Sequence, residues 1–180
     1  MISVDRLISH KNPGTYALIL PAEMPETIVI GKLGRLGVCR GNYLYVGSAF
    51  GPGGLAGRIR HHLRPLSSPH WHIDYLRKKL LPSAVWFTTD RRRREHQWAA
   101  IFAEADSAAI PLIGFGASDC RCDAHLFFFP AAATFNTMFR QIHQAIPDHA
   151  PIYHLNLQSQ QLYQFEQAVG TKPIVKEYFC

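Results

Sequence analysis

Eight residues, Gly47 to Gly54, hold four glycines and one proline, and they separate an alternating pattern from a helical one. Glycine there removes side-chain bulk and proline removes an amide donor, so neither a strand nor a helix runs through the segment. Before it, Asn42 to Val46 reads as a strand with Tyr43 and Tyr45 on one face and Leu44 and Val46 on the other. After it, Leu55 to Leu63 reads as a helix ended by Pro65. Arg58 and His62 are four apart on that helix and so project from one side.

The remaining pattern supports an α+β fold, a small, mainly antiparallel central sheet flanked by helices, and the 47% hydrophobic content is ample for its core. Thr15 to Pro21 is a strand bounded by Pro13-Gly14, and Thr27 to Ile30 is a second. With Asn42 to Val46 as the third, an antiparallel meander is the economical arrangement. Trp71 to Leu81 carries Ile73, Leu76 and Leu80 at helical spacing before Pro82, and Ala84 to Thr88 is strand-like. Asp90 suits the N-cap of a helix to about Asp106, with Arg91, Arg92, Arg93 and Arg94 in its first turn, where they oppose the helix dipole. Gly114 to Cys122 is a loop, Leu126 to Phe129 a strand, Ala131 to Ile146 a helix, and Leu155 to Ala168 weakly helical. One domain over residues 1–130, with a helical extension over 131–180 packed on it, accommodates these elements.

Charge is localised. Of a formal net +6, residues 58–94 carry ten basic side chains against Asp74 and Asp90, a net +8. That distribution fits one polyanion-binding face, with a phosphate backbone as its natural partner. Four cysteines show no secreted-framework spacing, and Asp5, Arg6, His10 and Lys11 interrupt any apolar leader. The expectation is a cytoplasmic protein with reduced thiols and no membrane partner, since no apolar run approaches about 20 residues.

Gly14-Thr15-Tyr16, Tyr45-Val46-Gly47, the following helix with Arg58 and His62, and Glu95 together resemble the GIY-YIG nuclease domain. Pro69-His70-Trp71-His72-Ile73-Asp74-Tyr75-Leu76 and Gly114-Phe115-Gly116-Ala117-Ser118-Asp119-Cys120 more narrowly resemble an uncharacterised branch of it, sometimes joined to a base-excision repair glycosylase. The resemblance covers about residues 13–130. It implies a divalent-metal-dependent endonuclease hydrolysing DNA phosphodiesters in repair or processing, with Glu95 holding Mg²⁺ or Mn²⁺ and Tyr16 as the general base. His70 approximates the family's second histidine, with His72 close behind. The alternative is a nucleic-acid-binding module that keeps the scaffold without turnover, and RNA is not excluded as the substrate. A lone domain of this size also invites a protein partner that targets it.

The residue chemistry agrees. A guanidinium at Arg58 matches two phosphate oxygens and stabilises the charge that accumulates at five-coordinate phosphorus. Tyr16 and Tyr45 would orient the attacking water, and His62 competes with Tyr16 as base because its ordinary pKa suits neutral pH better. Glu95 is a hard oxygen ligand, assisted through water by Asp74 or His70. Arg60, Arg64, His72, Arg77, Lys78, Lys79 and Arg91 to Arg94 would line the nucleic acid, with affinity falling steeply in salt. Tyr43 reads as packing. Cys120, Cys122 and His125 form a C-x-C-x2-H group whose fourth ligand is not evident, Asp119 and Asp123 being the nearby carboxylates; it reads as a structural loop with small buried thiols rather than a metal site. The interval from Tyr16 to Tyr45 exceeds the hairpin of the resembled family, implying an inserted strand or loop over residues 22–41.

Overall fold

A computed structural model describes residues 12–130, 135–159, 161–166 and 174–179. Among them the elements run β1 (Thr15–Ala22), β2 (Glu26–Ile30), β3 (Gly34–Val38), β4 (Gly41–Ser48), α1 (Gly54–Leu63), α2 (His72–Arg77), β5 (Ala84–Thr88), α3 (Glu95–Ala103), β6 (Leu126–Phe129), α4 (Phe135–Ala145), β7 (Ile152–Asn156), β8 (Gln161–Glu166) and β9 (Ile174–Phe179). Seven strands form one antiparallel sheet in the order β6-β4-β1-β5-β7-β8-β9, and β2 and β3 form a separate hairpin. The fold is α+β, as expected.

β1 is central because it is apolar on both faces. Every residue but Pro21 is buried, which is why its sequence does not alternate. Pro21 lies beyond Ile19, the last residue paired with β5, so the missing amide meets one neighbouring strand only. On one face Tyr16, Leu18 and Leu20 join Tyr43, Phe87, α1 and α2 residues and the buried Ile28, Ile30, Leu36 and Val38 of the hairpin. On the other, Ala17 and Ile19 join Leu44, Val46 and Trp86 beneath Trp98 and Phe102 of α3 and Met138, Phe139 and Ile142 of α4. Tyr43 is a packing residue, as read from sequence, and its place is in the core.

The outer edge of β6 is covered. Ala109 N donates to Phe128 O at 2.9 Å, and Phe128 N donates to Ala109 O at 2.8 Å.

Several expectations need correction. β1 pairs directly with β4, so β2 is not the middle of a meander; it turns back on β3, the inserted strand, outside the main sheet. α2 ends at Arg77 rather than near Leu81. α3 begins at Glu95, and Asp90 does not cap it: its Oδ1 accepts from Arg92 N at 2.9 Å in a local turn. The arginine run therefore precedes the helix. The tail is not wholly helical, because β7 to β9 continue the sheet beyond β5. The expected first turn of α4, residues 131–134, and residues 1–11, where an absent leader was read, lie outside the described residues. No helix among the described residues is long and apolar enough to cross a membrane.

Candidate active site

Two glycines of the signatures exist for steric reasons. Gly47 sits opposite Tyr16 in the β1–β4 ladder, and a Cβ there would lie 2.4 Å from the Tyr16 hydroxyl. A Cβ on Gly14 would lie 2.0 Å from the Thr88 carbonyl oxygen. Each signature thus lets its neighbour approach, Tyr16 over β4 in one case and β5 against the start of β1 in the other.

Tyr16 and Tyr45, both on the same face, open with Arg58, His62 and Glu95 onto a cavity of about 350 Å³ whose wall also includes Trp71 and Asp119. Five side chains from β1, β4, α1 and α3 therefore meet, as the sequence predicts. The Tyr16 hydroxyl and His62 Nε2 are 2.7 Å apart in a buried hydrogen bond. The guanidinium carbon of Arg58 lies 4.6 Å from the Trp71 ring centroid, and this cation–π contact holds the cation in the cavity wall.

Electrostatics set the protonation states. Burial, then the neighbouring Tyr45, drives the Tyr16 phenol well above its ordinary range, against the pull of Arg58. Burial and then Glu95 likewise raise Tyr45. Burial, Arg77 and His61 push His62 down to about 3, so its ring is neutral at physiological pH. The Tyr16–His62 pair is thus an uncharged hydroxyl–imidazole contact.

Asp74, fully buried, holds this arrangement from behind. Its Oδ2 accepts from the His70 and Trp71 amides at 3.0 Å each, and its Oδ1 lies 2.9 Å from His61 Nε2 and 3.2 Å from Arg77 Nη1. Burial alone would raise the carboxyl, but the Trp71, His70 and His61 hydrogen bonds hold it below its ordinary value. Its ligand oxygen lies within 4.8 Å of ring nitrogens of His61 and His62, yet its acceptor positions are taken and Arg77 already neutralises it. It is a brace rather than the expected metal assistant. The acidic residue that shares the cavity with Glu95 is Asp119.

Other assignments separate. His70 is exposed and stands outside the cavity wall, contributing its amide to Asp74. His72 Nδ1 accepts from Gly116 N at 3.0 Å and fixes the loop above Tyr45. Arg77 is turned inward, also donating to the Arg64 carbonyl at 2.9 Å. Arg94 is buried: Nε donates to Asp90 at 2.8 Å, Nη2 to Asp148 at 3.0 Å and Nη1 to Gln97 at 3.0 Å, while its amide donates to Thr15 Oγ1 at 3.2 Å. Neither arginine belongs to a nucleic-acid rim. Arg92 pairs with Asp148 at the surface, and Lys79 Nζ is 3.9 Å from Glu26. Arg60 and Arg64 line a second hollow of about 510 Å³ that shares Arg58 and Trp71 with the first. Arg93 reaches the first cavity beside Phe50, while Lys78 and Arg91 are exposed.

Sequence reasoning missed Trp71 as the support for Arg58, although an aromatic within a histidine-rich segment beside a basic helix is a usable signal. It also missed Thr15, whose hydroxyl ties β1 to the residue before Glu95.

No curated protein and no solved structure matches the chain. A protein-family comparison matches residues 15–147, a span that opens at β1 and contains every residue of the cavity wall. The chain therefore belongs to the family described as Domain of unknown function DUF123.

Proposed function

We propose that the cavity hydrolyses phosphodiester bonds in DNA with Mg²⁺ or Mn²⁺, in the manner of a GIY-YIG nuclease. The observation that carries this reading is the meeting of Tyr16, Tyr45, Arg58, His62 and Glu95 on one small cavity. Packing alone asks for no such set, and a polar, cation-lined hollow suits a phosphate.

Arg58, held by Trp71, binds two oxygens of the scissile phosphate and strengthens its grip as charge builds on them. Water attacks phosphorus, and the bond from phosphorus to the leaving oxygen breaks in line. The water's proton passes to the Tyr16 oxygen while Tyr16 gives its own proton to His62 Nε2, 2.7 Å away. The negative phosphate favours the imidazolium that results, and the leaving oxygen takes a proton from solvent. Tyr45 orients the water. Glu95 and Asp119 supply the hard oxygen donors that Mg²⁺ or Mn²⁺ prefers. When bound, such an ion withdraws charge from the phosphate and eases departure of the leaving oxygen.

One observation favours the alternative, a nucleic-acid-binding module without turnover: burial keeps both phenols protonated at neutral pH and makes His62 a weaker base. A cleavage assay separates the two. The purified chain is given supercoiled, branched and damaged DNA, and matching RNA, with each ion. Nicking that falls at least about 10²–10³-fold in Arg58→Ala and in Glu95→Ala, with circular dichroism unchanged, supports the enzyme. Salt-sensitive binding without cutting on every substrate selects the module.

A further inference from the structure

Next to the cavity, but outside its wall, the structure assembles a donor set that the loop sequence left incomplete. Cys120 and Cys122 come from the loop before β6, and His125 from the residue that leads into it. His96 comes from the first turn of α3, 24 positions before Cys120. One ligand atom from each of the four lies within 4.8 Å of every other. Cys120 Sγ and His125 Nε2 are 3.4 Å apart, and the His96 and His125 rings stand 5.7 Å apart.

These separations suit one ion. Tetrahedral zinc, with bonds of about 2.3 Å to sulfur and about 2.0–2.1 Å to nitrogen, sets sulfur–nitrogen edges near ~3.6 Å and sulfur–sulfur edges near ~3.8 Å. The observed pair is already close to that edge length, and no other pair has to close by more than about 1 Å, which side-chain rotation supplies. Two thiolates cancel the charge of a divalent ion, which matters at half-buried cysteines, and soft sulfur donors select zinc over magnesium. Glu95 and Asp119 on the cavity side are hard oxygen donors, so the two places prefer different metals.

The geometry points to a structural Zn²⁺ site formed by His96, Cys120, Cys122 and His125. The rival arrangement, thiols packed as small apolar residues, gives no role to the largely exposed His96, which is brought to the same point from another element. The site joins three pieces that otherwise share few backbone hydrogen bonds: α3, the loop bearing Asp119, and β6. It also reaches the cavity. With Nε2 of His125 facing the sulfur, its Nδ1 lies 3.1 Å from Glu95 Oε1, although not aligned as a hydrogen bond. Zinc on Nε2 fixes the ring proton on Nδ1, facing the carboxylate, a common arrangement behind metal-bound histidine. The ion would then act as a staple that sets the position of Glu95, and it does not depend on whether the cavity cuts DNA.

The test uses the full chain, purified under reducing conditions, stripped with a chelator and titrated with Co²⁺. The expected result is one equivalent bound, with the intense d–d absorption of tetrahedral cobalt and a thiolate-to-cobalt charge-transfer band, both erased by one equivalent of Zn²⁺. His96→Ala keeps the charge-transfer band but weakens binding at least about tenfold. The double variant Cys120→Ser, Cys122→Ser loses the band. Glu95→Gln keeps full zinc stoichiometry, so failure of the zinc site and failure of the cavity as a nuclease are read separately. Weak octahedral cobalt spectra from the unmutated chain overturn the proposal, as does zinc content equal to that of the double variant, or a Cys120–Cys122 disulfide that forms equally fast with Zn²⁺ present.

Discussion

The two faces of the sheet are built from alternate residues of the same strands and behave as different materials. Ala17, Ile19, Leu44, Val46 and Trp86 face α3 and α4 in a core with Phe102, Phe127 and Phe139. Tyr16 and Tyr45, one step along the same strands, face a cavity backed by the buried Asp74–Arg77 pair. The apolar face tolerates reshaping, because its energy scales with area and volume. The cavity face depends on individual partners, because an unpaired buried charge costs more than a lost methylene.

One large truncation on each face gives the strongest challenge to this contrast. Phe102→Ala and Asp74→Ala are each expected to cost about 3–5 kcal/mol, the one by opening a hole and the other by leaving Arg77 buried without its carboxylate. Urea unfolding measures both. They are expected to differ in the proposed function: cleavage per folded molecule should be retained in Phe102→Ala and fall in Asp74→Ala, where the amide of Trp71 beneath Arg58 loses its acceptor. Equal loss in both would erase the distinction between the faces.

Gly47→Ala is the sharper probe. Its methyl group displaces the Tyr16 ring, so kcat/KM is expected to drop about 10²-fold, the scale of a 1 Å misplacement. The loss of stability should be smaller than in Asp74→Ala. A variant that cuts at the parental rate removes Tyr16 from the reaction.

Acid acts on both faces. His62 falls to about 3 and His149 and His154 to about 4, all below the ordinary 6.5, with burial the first cause in each. The unfolded chain therefore binds more protons than the folded one below pH 6.5. The stability these rings contribute is complete above that pH and is lost as pH falls toward 4 and then 3. Melting temperature followed from pH 8 to 4 should decline, and His62→Gln should flatten the decline by one ring's share. The same depression predicts no acid limb near 6.5 in the cleavage rate.

The smallest effect is at the surface. Arg91→Ala and Arg93→Ala should each lower the salt slope of DNA binding by about 1 without altering stability. Arg94→Ala should instead weaken the fold, since it strips a partner from the buried Asp90.

What the sequence shows and hides follows from the range of the interactions. Strand β4, the glycine break and the Arg58–His62 face were legible because they rest on neighbours within a few residues. β3 was hidden by Gly34 and Gly37, which lower strand propensity although Leu36 and Val38 are buried. β7 took its identity from β5, a partner about 70 positions earlier with Ala84 facing Asn156, which local periodicity does not register. Arg77 and Arg94 looked like surface cations because Asp148, and the enclosure around Asp74, are distant in sequence or set by packing. Glu95 entered through its motif, whereas Asp119 beside it had only a loop for context.

The Ala109 contact on β6 has a further effect. An uncovered outermost strand offers its amides and carbonyls to any passing extended segment, and copies of a protein can thread together along such a flank. Here β6 is only four residues long, and Phe128 commits both backbone groups to Ala109. Polymerisation through this side of the molecule would first have to peel that loop away.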